Sequence, residues 1–479
     1  MTYQFKRPPR EKQREALERL KGFKNFALLM AMRTGKTKVI LDDWSQLAQK
    51  LAVKRLLIIA PAGVYKTWFT AIQDDVPDGL LKQMGIYTWS SGTQGGKKES
   101  AERERVMQHT GPAALLMNIE ALSSVAAARE TCIRFLDDAP TMVVVDESVI
   151  IKNPTAARTR FVIRELRSRA KYRRILSGLP TPRSPLDLYS QFEFLDPSIL
   201  GFTSYYAFRA RYAVMRNMLV GGRTIKLVVG FQNTEELWKK IEPYSFRVKL
   251  EDCYDLPASE YTVREVPLTD EQRRVYDGLR LNATAALEEG AHVTATQVIV
   301  QIIRMHQVLC GHTRDELGEE HLLPERRTET LLDLLEDYDG KAIIWCSYDA
   351  DIKKVAAALE KEYGKVARFW GGNRDTREEE ERQFKTDPEC RFIVATPAAG
   401  GRGRTWDCAN LVVYFSNGND LDHRSQSEER PKAVGKTRSI HYVDLVAKGT
   451  VDEKIIAALR AKIDMAAAIT GDNYQEWLI

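Results

Sequence analysis

The chain is poor in cysteine and has no cysteine pair at metal-binding spacing: Cys132, Cys253, Cys310, Cys346, Cys390 and Cys408 are scattered, mostly inside apolar runs. That pattern excludes a disulfide-stapled scaffold and reads as reduced core thiols. Histidine is scarce too, and the nearest approach to a ligand cluster, His306, Cys310 and His312, does not close a four-ligand structural zinc site. No run approaches the roughly 18 continuous apolar residues that a bilayer-spanning helix needs. The polar, basic start MTYQFKRPPREKQ is followed by no apolar stretch, so the sequence predicts a protein made and kept in the cytoplasm, with no membrane partner. An excess of one charge is also missing. The 71 Lys and Arg against 66 Asp and Glu leave +5, too little to argue for nucleic acid unless the cations cluster. There is no repeat and no low-complexity tract. What remains is an enzyme-sized folded chain, 44% hydrophobic and 29% charged over 479 residues, long enough for about three units at roughly 150 residues each.

Its grammar is α/β. Short aliphatic runs alternate with helical patterns: RLLIIA (55–60), AALLMN (113–118), TMVVVD (141–146) and RRILSG (173–178). A second set follows much later: KAIIWCS (341–347), VARFWG (366–371), RFIVAT (391–396), NLVVYFS (410–416) and IHYVDL (440–445). Runs this continuous fit parallel strands buried on both faces by crossover helices, so two parallel-sheet lobes are expected. Between them, from about 197 to 325, the pattern predicts a mainly helical insertion with one hairpin turning at Gly221 and Gly222. A long amphipathic stretch from Thr269 to His312 opens with N-cap chemistry at Thr269 and Asp270, with Gln272 nearby. The charged segment 316–327, carrying Pro324, is the expected linker. The division is therefore 1–196 for the first lobe, 197–325 for the basic insertion and linker, and 326–479 for the second lobe with a C-terminal helix.

In open α/β sheets functional groups gather at the carboxyl ends of strands. After the apolar run FALLM comes MAMRTGKT (30–37), where Gly35 lets the backbone wrap phosphate. Lys36 would reach the β and γ phosphates there, and the Thr37 hydroxyl would ligate magnesium at a helix amino terminus. The strict phosphate-loop pattern fails at its first glycine, where Met30 stands, and a glycine turn opening an ordinary helix is the plain alternative. After the run VVV come Asp146 and Glu147, placed to hold magnesium and to deprotonate the attacking water, though a helix-capping pair would look the same. Ser177, Gly178 and Pro180 follow another strand in ILSGLPTPRSPLDLY (175–189).

In this order the signals resemble the SWI/SNF-type ATPases, DNA translocases of helicase superfamily two. Gln13 looks like the adenine-reading glutamine, IIAPAGVYKTWFTAI (58–72) resembles motif Ia, and NIEAL (118–122) fits motif Ib. DESVIIKNP (146–154) resembles the DEAH box with its trailing IKN, and ILSGLPTP resembles the motif that couples nucleotide to nucleic acid. In the second lobe IIWCSYDADI (343–352), ATPAAGGRGRTWDCANLVVYFS (395–416) and QSEERPKAVGK (426–436) resemble motifs IV, V and VI. The resemblance runs from about residue 7 to 470 and implies two RecA-like lobes that hydrolyse ATP with magnesium between them and move on duplex or branched DNA without reading its sequence. It implies ATP contacts by Gln13, Arg33, Thr34, Gly35, Lys36, Thr37, Gly401 and Gly403, catalysis by Lys36, Asp146, Glu147, Gln426 and Arg430, and magnesium at Thr37 and Asp146. DNA contacts are expected from Lys66, Trp68, Thr181, Arg183, Arg209 and Arg211. With no appended bromodomain or chromodomain, a minimal engine of the bacterial or bacteriophage kind is expected.

Departures from the family pattern are specific. Arg33 stands at a glycine position, Val149 replaces the DEAH histidine, and motif VI, which carries arginines four and seven residues after its glutamine, has Arg430 but Ala433. Arginine fingers contribute about 10³–10⁵ in rate, so an ATPase-impaired DNA-binding scaffold remains an alternative, as does a strand-separating helicase. Lys432 and Lys436 are possible stand-ins, without the planar fork of arginine. The cations do cluster: Thr203–Leu250 carries a net +6, interleaved with Tyr205, Tyr206, Phe208 and Trp238, and Arg158–Arg174 a net +7. Such clusters suit phosphate-backbone contact, with a solvated face as the alternative.

Overall fold

The computed structural model describes residues 3–62, 64–90, 96–220, 223–255, 257–288, 295–314, 319–400, 404–433 and 435–470. The strands in chain order are β1 Asn25–Met30, β2 Arg55–Ala60, β3 Gly85–Thr88, β4 Ala113–Asn118, β5 Thr141–Val145, β6 Tyr172–Leu176, β7 Ala213–Val220, β8 Arg223–Phe231 and β9 Ser245–Val248. They continue with β10 Ser259–Glu265, β11 His312–Arg314, β12 Glu320–Leu322, β13 Lys341–Trp345, β14 Val366–Phe369, β15 Phe392–Ala395, β16 Ala409–Tyr414 and β17 Ile440–Val446.

Two parallel sheets organise the fold, as the continuous apolar runs predict. The first has the order β3-β4-β2-β5-β6-β1-β9 and the second β10-β17-β16-β13-β15-β14, and every registered pair within them is parallel. Strand β13 shows why such runs carry no alternation: Ala342 and Ile344 enter one buried cluster and Ile343 and Trp345 the other, so both faces are core. In the first sheet Leu28, Met30, Leu56, Ile58, Leu116 and Val144 pack with Trp44 and Trp68 from the covering helices.

The chain divides into two compact units, one of Met1–Val214 and Phe231–Asp255, the other of Met215–Gly230 and Leu256–Met465. The segment 197–325 is thus shared between the units. It contains the expected helices, now seen as Asp270–Glu288 and Ala295–Leu309. The first opens with a reciprocal cap in which the Gln272 backbone N–H donates to Thr269 Oγ1 and the Thr269 backbone N–H to Gln272 Oε1, each at 3.2 Å. The same segment supplies β9 to the first sheet and β10 to the second. Neither is a continuous apolar run. β10 is a mostly exposed edge strand, so its pattern does not announce a buried sheet. The expected hairpin exists as the separate two-stranded pair β7-β8, its glycine turn at 221–222 lying outside the described residues. The expected linker supplies β12, antiparallel to β11; its residues 316–318 lie outside the described residues.

One buried arginine ties the second unit together. Arg327 donates to the Phe415 carbonyl at 2.7 Å, the Leu445 carbonyl at 3.1 Å, the Leu309 carbonyl at 3.3 Å and the Asp452 carboxylate, joining a helix end, two strand ends and the C-terminal helix. Burial would raise the Asp452 carboxyl, but Arg327 and His306 outweigh it and hold it well below the usual range. A depressed carboxylate stabilises the fold above its unfolded value and loses that contribution as pH falls. Arg327→Met should destabilise the protein by about 3–5 kcal/mol by leaving Asp452 charged and unpaired in the core. Denaturant unfolding at neutral pH checks this, and a loss near zero would show the ion pair contributes nothing.

Candidate nucleotide site and nucleic-acid surfaces

The loop from β1 into the helix Lys36–Gln49 is built around two left-handed residues, Arg33 at φ 64 and Gly35 at φ 88. A side chain at Gly35 would place its Cβ 2.0 Å from Gln13 Nε2, so glycine is required by conformation and by contact. Gln13 is itself buried and donates to the Thr34 carbonyl at 3.2 Å while its Oε1 accepts from the Arg10 backbone N–H at 2.9 Å. Lys36 is buried at the helix start, its ammonium donating to the Met30 carbonyl at 2.7 Å and the Ala31 carbonyl at 3.3 Å. Gln13, Thr34, Gly35 and Lys36 are therefore brought together by the fold. Thr37 is half-buried on the next helical position.

At the carboxyl end of β5, buried Asp146 accepts from the Trp68 indole N–H at 2.9 Å and from the Glu147 backbone N–H at 2.9 Å. Burial pushes the Asp146 carboxyl up, against the Lys36 ammonium, the Trp68 indole and the Glu147 amide, which favour the anion. Lys36 and Asp146 thus belong to one electrostatic site. Glu147 adopts φ 48, ψ 58, a left-handed conformation uncommon for a residue with a side chain. Of the four non-glycine residues with positive φ among those described, Arg33 and Glu147 both lie at this site. Retained strain of this kind marks functional positions.

Trp68 is a correction to the expected DNA contacts. It is 1% exposed, a core residue of the helix Thr67–Asp75 that positions Asp146, whereas Lys66 beside it is exposed. Thr181 is likewise fully buried and cannot meet a polymer, while Arg183 is exposed. Sequence reasoning also missed the polar chain behind the Asp-Glu pair. Ser148 donates to Gln191 Oε1 at 2.6 Å, and Gln191 Nε2 donates to the carbonyls of Pro180 and Asp187, each at 2.8 Å. This wires the 146–149 turn to the SGLPTP segment although Val149 carries no polar group. Trp68→Phe should cut ATP turnover about tenfold, since a hydrogen bond to a charged group contributes about 1.5–3 kcal/mol. A phosphate-release assay reads this out, and an unchanged rate would reduce the indole to packing.

In the second unit Gln426 and Arg430 are both buried. Gln426 Nε2 donates to Asp422 at 2.8 Å, and the Arg430 guanidinium donates to the Arg404 carbonyl. Beside them Arg424 lies between Glu428 at 2.5 Å and Asp444 at 2.6 Å, over the Tyr414 ring. Lys436 donates to the carbonyls of Asp407, Ala409 and Pro431, and Lys432 pairs with Glu429 at 2.7 Å, so both are engaged within the protein. Gly401 and Gly403 lie outside the described residues. A cavity of about 550 Å³ opens at the carboxyl ends of β13, β15 and β16, lined by Ser347, Arg374, Arg377, Thr396, Asn417 and His423 among others. Two of its arginines, Arg374 and Arg377, follow β14 in GGNRDTR and were not singled out by any motif.

The basic run 158–174 proves largely structural. Arg158 caps the Ile150 carbonyl, Arg167 pairs with Glu193, Arg169 with Asp137 and Glu165, Arg173 with Asn25, and Arg174 with Asp43. In the other cluster Arg211 pairs with Glu236, and Arg209 lies over Tyr206, whose ring is 69% exposed.

A lysine-bearing loop after one strand and an Asp-Glu pair after another, in a parallel sheet, define a P-loop nucleoside triphosphatase. An SNF2-related domain matches residues 11–314, and a helicase conserved C-terminal domain matches residues 326–432. The chain belongs to this family, the SWI/SNF-type ATPases of helicase superfamily two. TATA-binding protein-associated factor mot1 of Aspergillus fumigatus is 24% identical over 376 residues, 69% of this chain and 20% of that protein. The SWI/SNF-related matrix-associated actin-dependent regulator of chromatin subfamily A-like protein 1 of Xenopus tropicalis is 24% identical over 430 residues, 88% of this chain and 41% of its own length. The putative ATP-dependent helicase/translocase YwqA of Bacillus subtilis is 24% identical over 328 residues, 66% of this chain and 34% of that one. The chain thus spans a fifth to about two fifths of these relatives' length. Among solved structures, the Sulfolobus solfataricus SWI2/SNF2 ATPase core in complex with dsDNA is 22% identical, with a TM-score of 0.43 over 98% of this chain and 96% of that one. No helix among the described residues is long and apolar enough to cross a membrane.

Proposed function

We propose that this chain is a DNA-stimulated ATPase that translocates on duplex or branched DNA. The observation that carries the reading is the hydrogen bond from Trp68 to Asp146: one short helix joins the carboxylate of the nucleotide site to the exposed Lys66. A change of charge at Asp146 would be felt by the helix whose start is placed to meet a phosphate backbone.

The donor set fits magnesium nucleotide, with a hydroxyl at Thr37 and a carboxylate at Asp146, both hard oxygen ligands. Thr37 and Asp146 would hold the ion, which would supply neutralisation of the charge that develops on the phosphates. Lys36 binds the same phosphates, Gln13 holds the loop against the base side of the site, and Glu147 takes the proton of the attacking water. Arg209, Arg211 and Arg183, with Arg374 and Arg377 of the second-lobe cavity, are the proposed backbone contacts, and such binding falls steeply with salt. Phosphate release at low salt, without DNA and with single-stranded, linear duplex and forked DNA, tests the reading. Strong duplex stimulation supports it; a rate indifferent to every DNA overturns it. Ala433 favours a second reading, an impaired motor, because Lys432 and Lys436 are engaged and leave that cation unreplaced. Large activation by Ala433→Arg would favour it.

A further inference from the structure

A buried ion cluster joins three elements of the first unit. Lys38 follows Lys36 and Thr37 on the helix Lys36–Gln49, and its ammonium meets Asp42, one turn on, at 2.8 Å and Asp75 at 3.6 Å. Asp75 closes the helix Thr67–Asp75 and is also gripped by Arg7, whose Nε and Nη2 each donate to one carboxylate oxygen at 2.8 Å. Tyr3 donates its hydroxyl to the other oxygen of Asp42 at 3.1 Å, and Lys6 donates to the Gln73 carbonyl at 2.8 Å. Asp42 and Asp75 are 0% and 2% exposed, so two carboxylates and two cations balance inside the protein where the three elements meet.

The helix that Asp75 ends does not account for the cluster. A carboxylate in the last turn of a helix is disfavoured by the helix dipole, and a buried ion pair adds little net stability over apolar packing of the same volume. What a bidentate guanidinium–carboxylate contact does fix is direction. Direction matters on this helix because its first turn holds Trp68, the donor to Asp146, and Lys66 stands at its N-cap. The helix is thus tied at its start to the carboxylate after β5 and at its end to the helix that Lys36 opens. Arg7 in turn is joined through Pro8 and Pro9 to Arg10, the N-cap of the helix that carries Gln13. Proline fixes φ, so that joint is stiff.

We propose that Arg7 and Asp75 are positioning residues for ATP turnover: with Lys38 they clamp the helix Thr67–Asp75 to the phosphate-loop helix, so that nucleotide at Lys36 and a backbone phosphate at Lys66 act on one rigid body. Neither residue touches the reacting atoms. With the clamp open the loop still takes nucleotide, but the helix no longer follows it, and Trp68 no longer holds Asp146 in step with the loop.

The inference rests on the reading of this chain as a DNA-stimulated ATPase, and the experiment separates the two. The full chain and its Arg7→Gln, Asp75→Asn and Arg7→Gln/Asp75→Asn variants are loaded with ATPγS and magnesium, and amide hydrogen exchange is followed across residues 67–75. The same proteins are assayed for phosphate release without DNA and with linear duplex, with kcat and KM for ATP determined separately, and for melting temperature. In the wild type ATPγS should slow exchange across that helix, and each variant should lose most of the slowing while still binding the nucleotide. Duplex-stimulated kcat should fall by about tenfold or more, with KM for ATP and the DNA-free rate unchanged. The double variant should be no worse than Asp75→Asn alone, because residues that act as one unit do not add. The Arg7 side chain is 55% exposed, so the melting temperature of Arg7→Gln should hold. No slowing in the wild type, variants that keep full duplex stimulation, additive losses in the double variant, or kcat, KM and melting temperature worsening together would each overturn the clamp. A wild type whose helix responds to ATPγS through Arg7, yet whose phosphate release ignores duplex, would overturn the DNA-stimulated reading and leave the clamp standing.

Discussion

Lys36→Ala should abolish ATP turnover, with phosphate release falling by at least about 10²–10³-fold, the scale on which removing one preorganised electrostatic contact acts. Two effects combine. The ammonium proposed to reach the phosphates is gone, and Asp146, already pushed up by burial, loses the cation that most favours its ionised form. With Asp146 as the proposed magnesium ligand, its protonation should weaken nucleotide binding alongside kcat. The fold should survive at a cost of about 1–3 kcal/mol, because the carbonyls of Met30 and Ala31 lose their buried donor. Phosphate release, fluorescent-nucleotide binding and a melting curve on one preparation separate these effects. Unchanged turnover would remove this loop from the chemistry.

Glu147→Gln should behave differently. General-base removal costs about 10²–10⁴-fold, while the amide keeps size and polarity in the same left-handed backbone. Nucleotide and DNA binding should persist, and melting temperature should be unchanged. A variant that binds ATP normally but fails to release phosphate, with every DNA, is the expected result. Retained turnover would make Glu147 a capping residue and move the base elsewhere. The contrast in binding between the Lys36 and Glu147 variants is more diagnostic than either loss alone.

The legible part of the site was its local part. Spacing within eight residues singled out Gly35, Lys36 and Thr37, because a phosphate loop is a contiguous turn opening a helix, and they do lie on one turn that opens the helix Lys36–Gln49. Asp146 and Glu147 were legible because a carboxylate ending a buried apolar run must sit at the carboxyl edge of a sheet. Trp68 was misread because a motif position says nothing of which way a side chain points; its helix turns the indole inward and Lys66 outward. Thr181 failed for the same reason. Ser148 and Gln191 left no signal, since a buried polar pair is visible only once both ends are placed.

By itself the sequence determined the two parallel sheets, most strand positions, the capped helix at Thr269 and the family, since these depend on apolar runs, caps and ordered motifs that are local in the chain. Tertiary structure alone decided which cations are available. Arg174 finds Asp43 at a separation of 131 residues and Arg167 finds Glu193 at 26, so a run of positive charge dissolves into internal ion pairs. It also decided what holds the buried carboxylate at the end of β5, through a hydrogen bond between Trp68 and Asp146, 78 residues apart. The physical reason is the same in each case: a charge or a hydrogen-bond donor is defined by its partner, and the partner is brought by the fold.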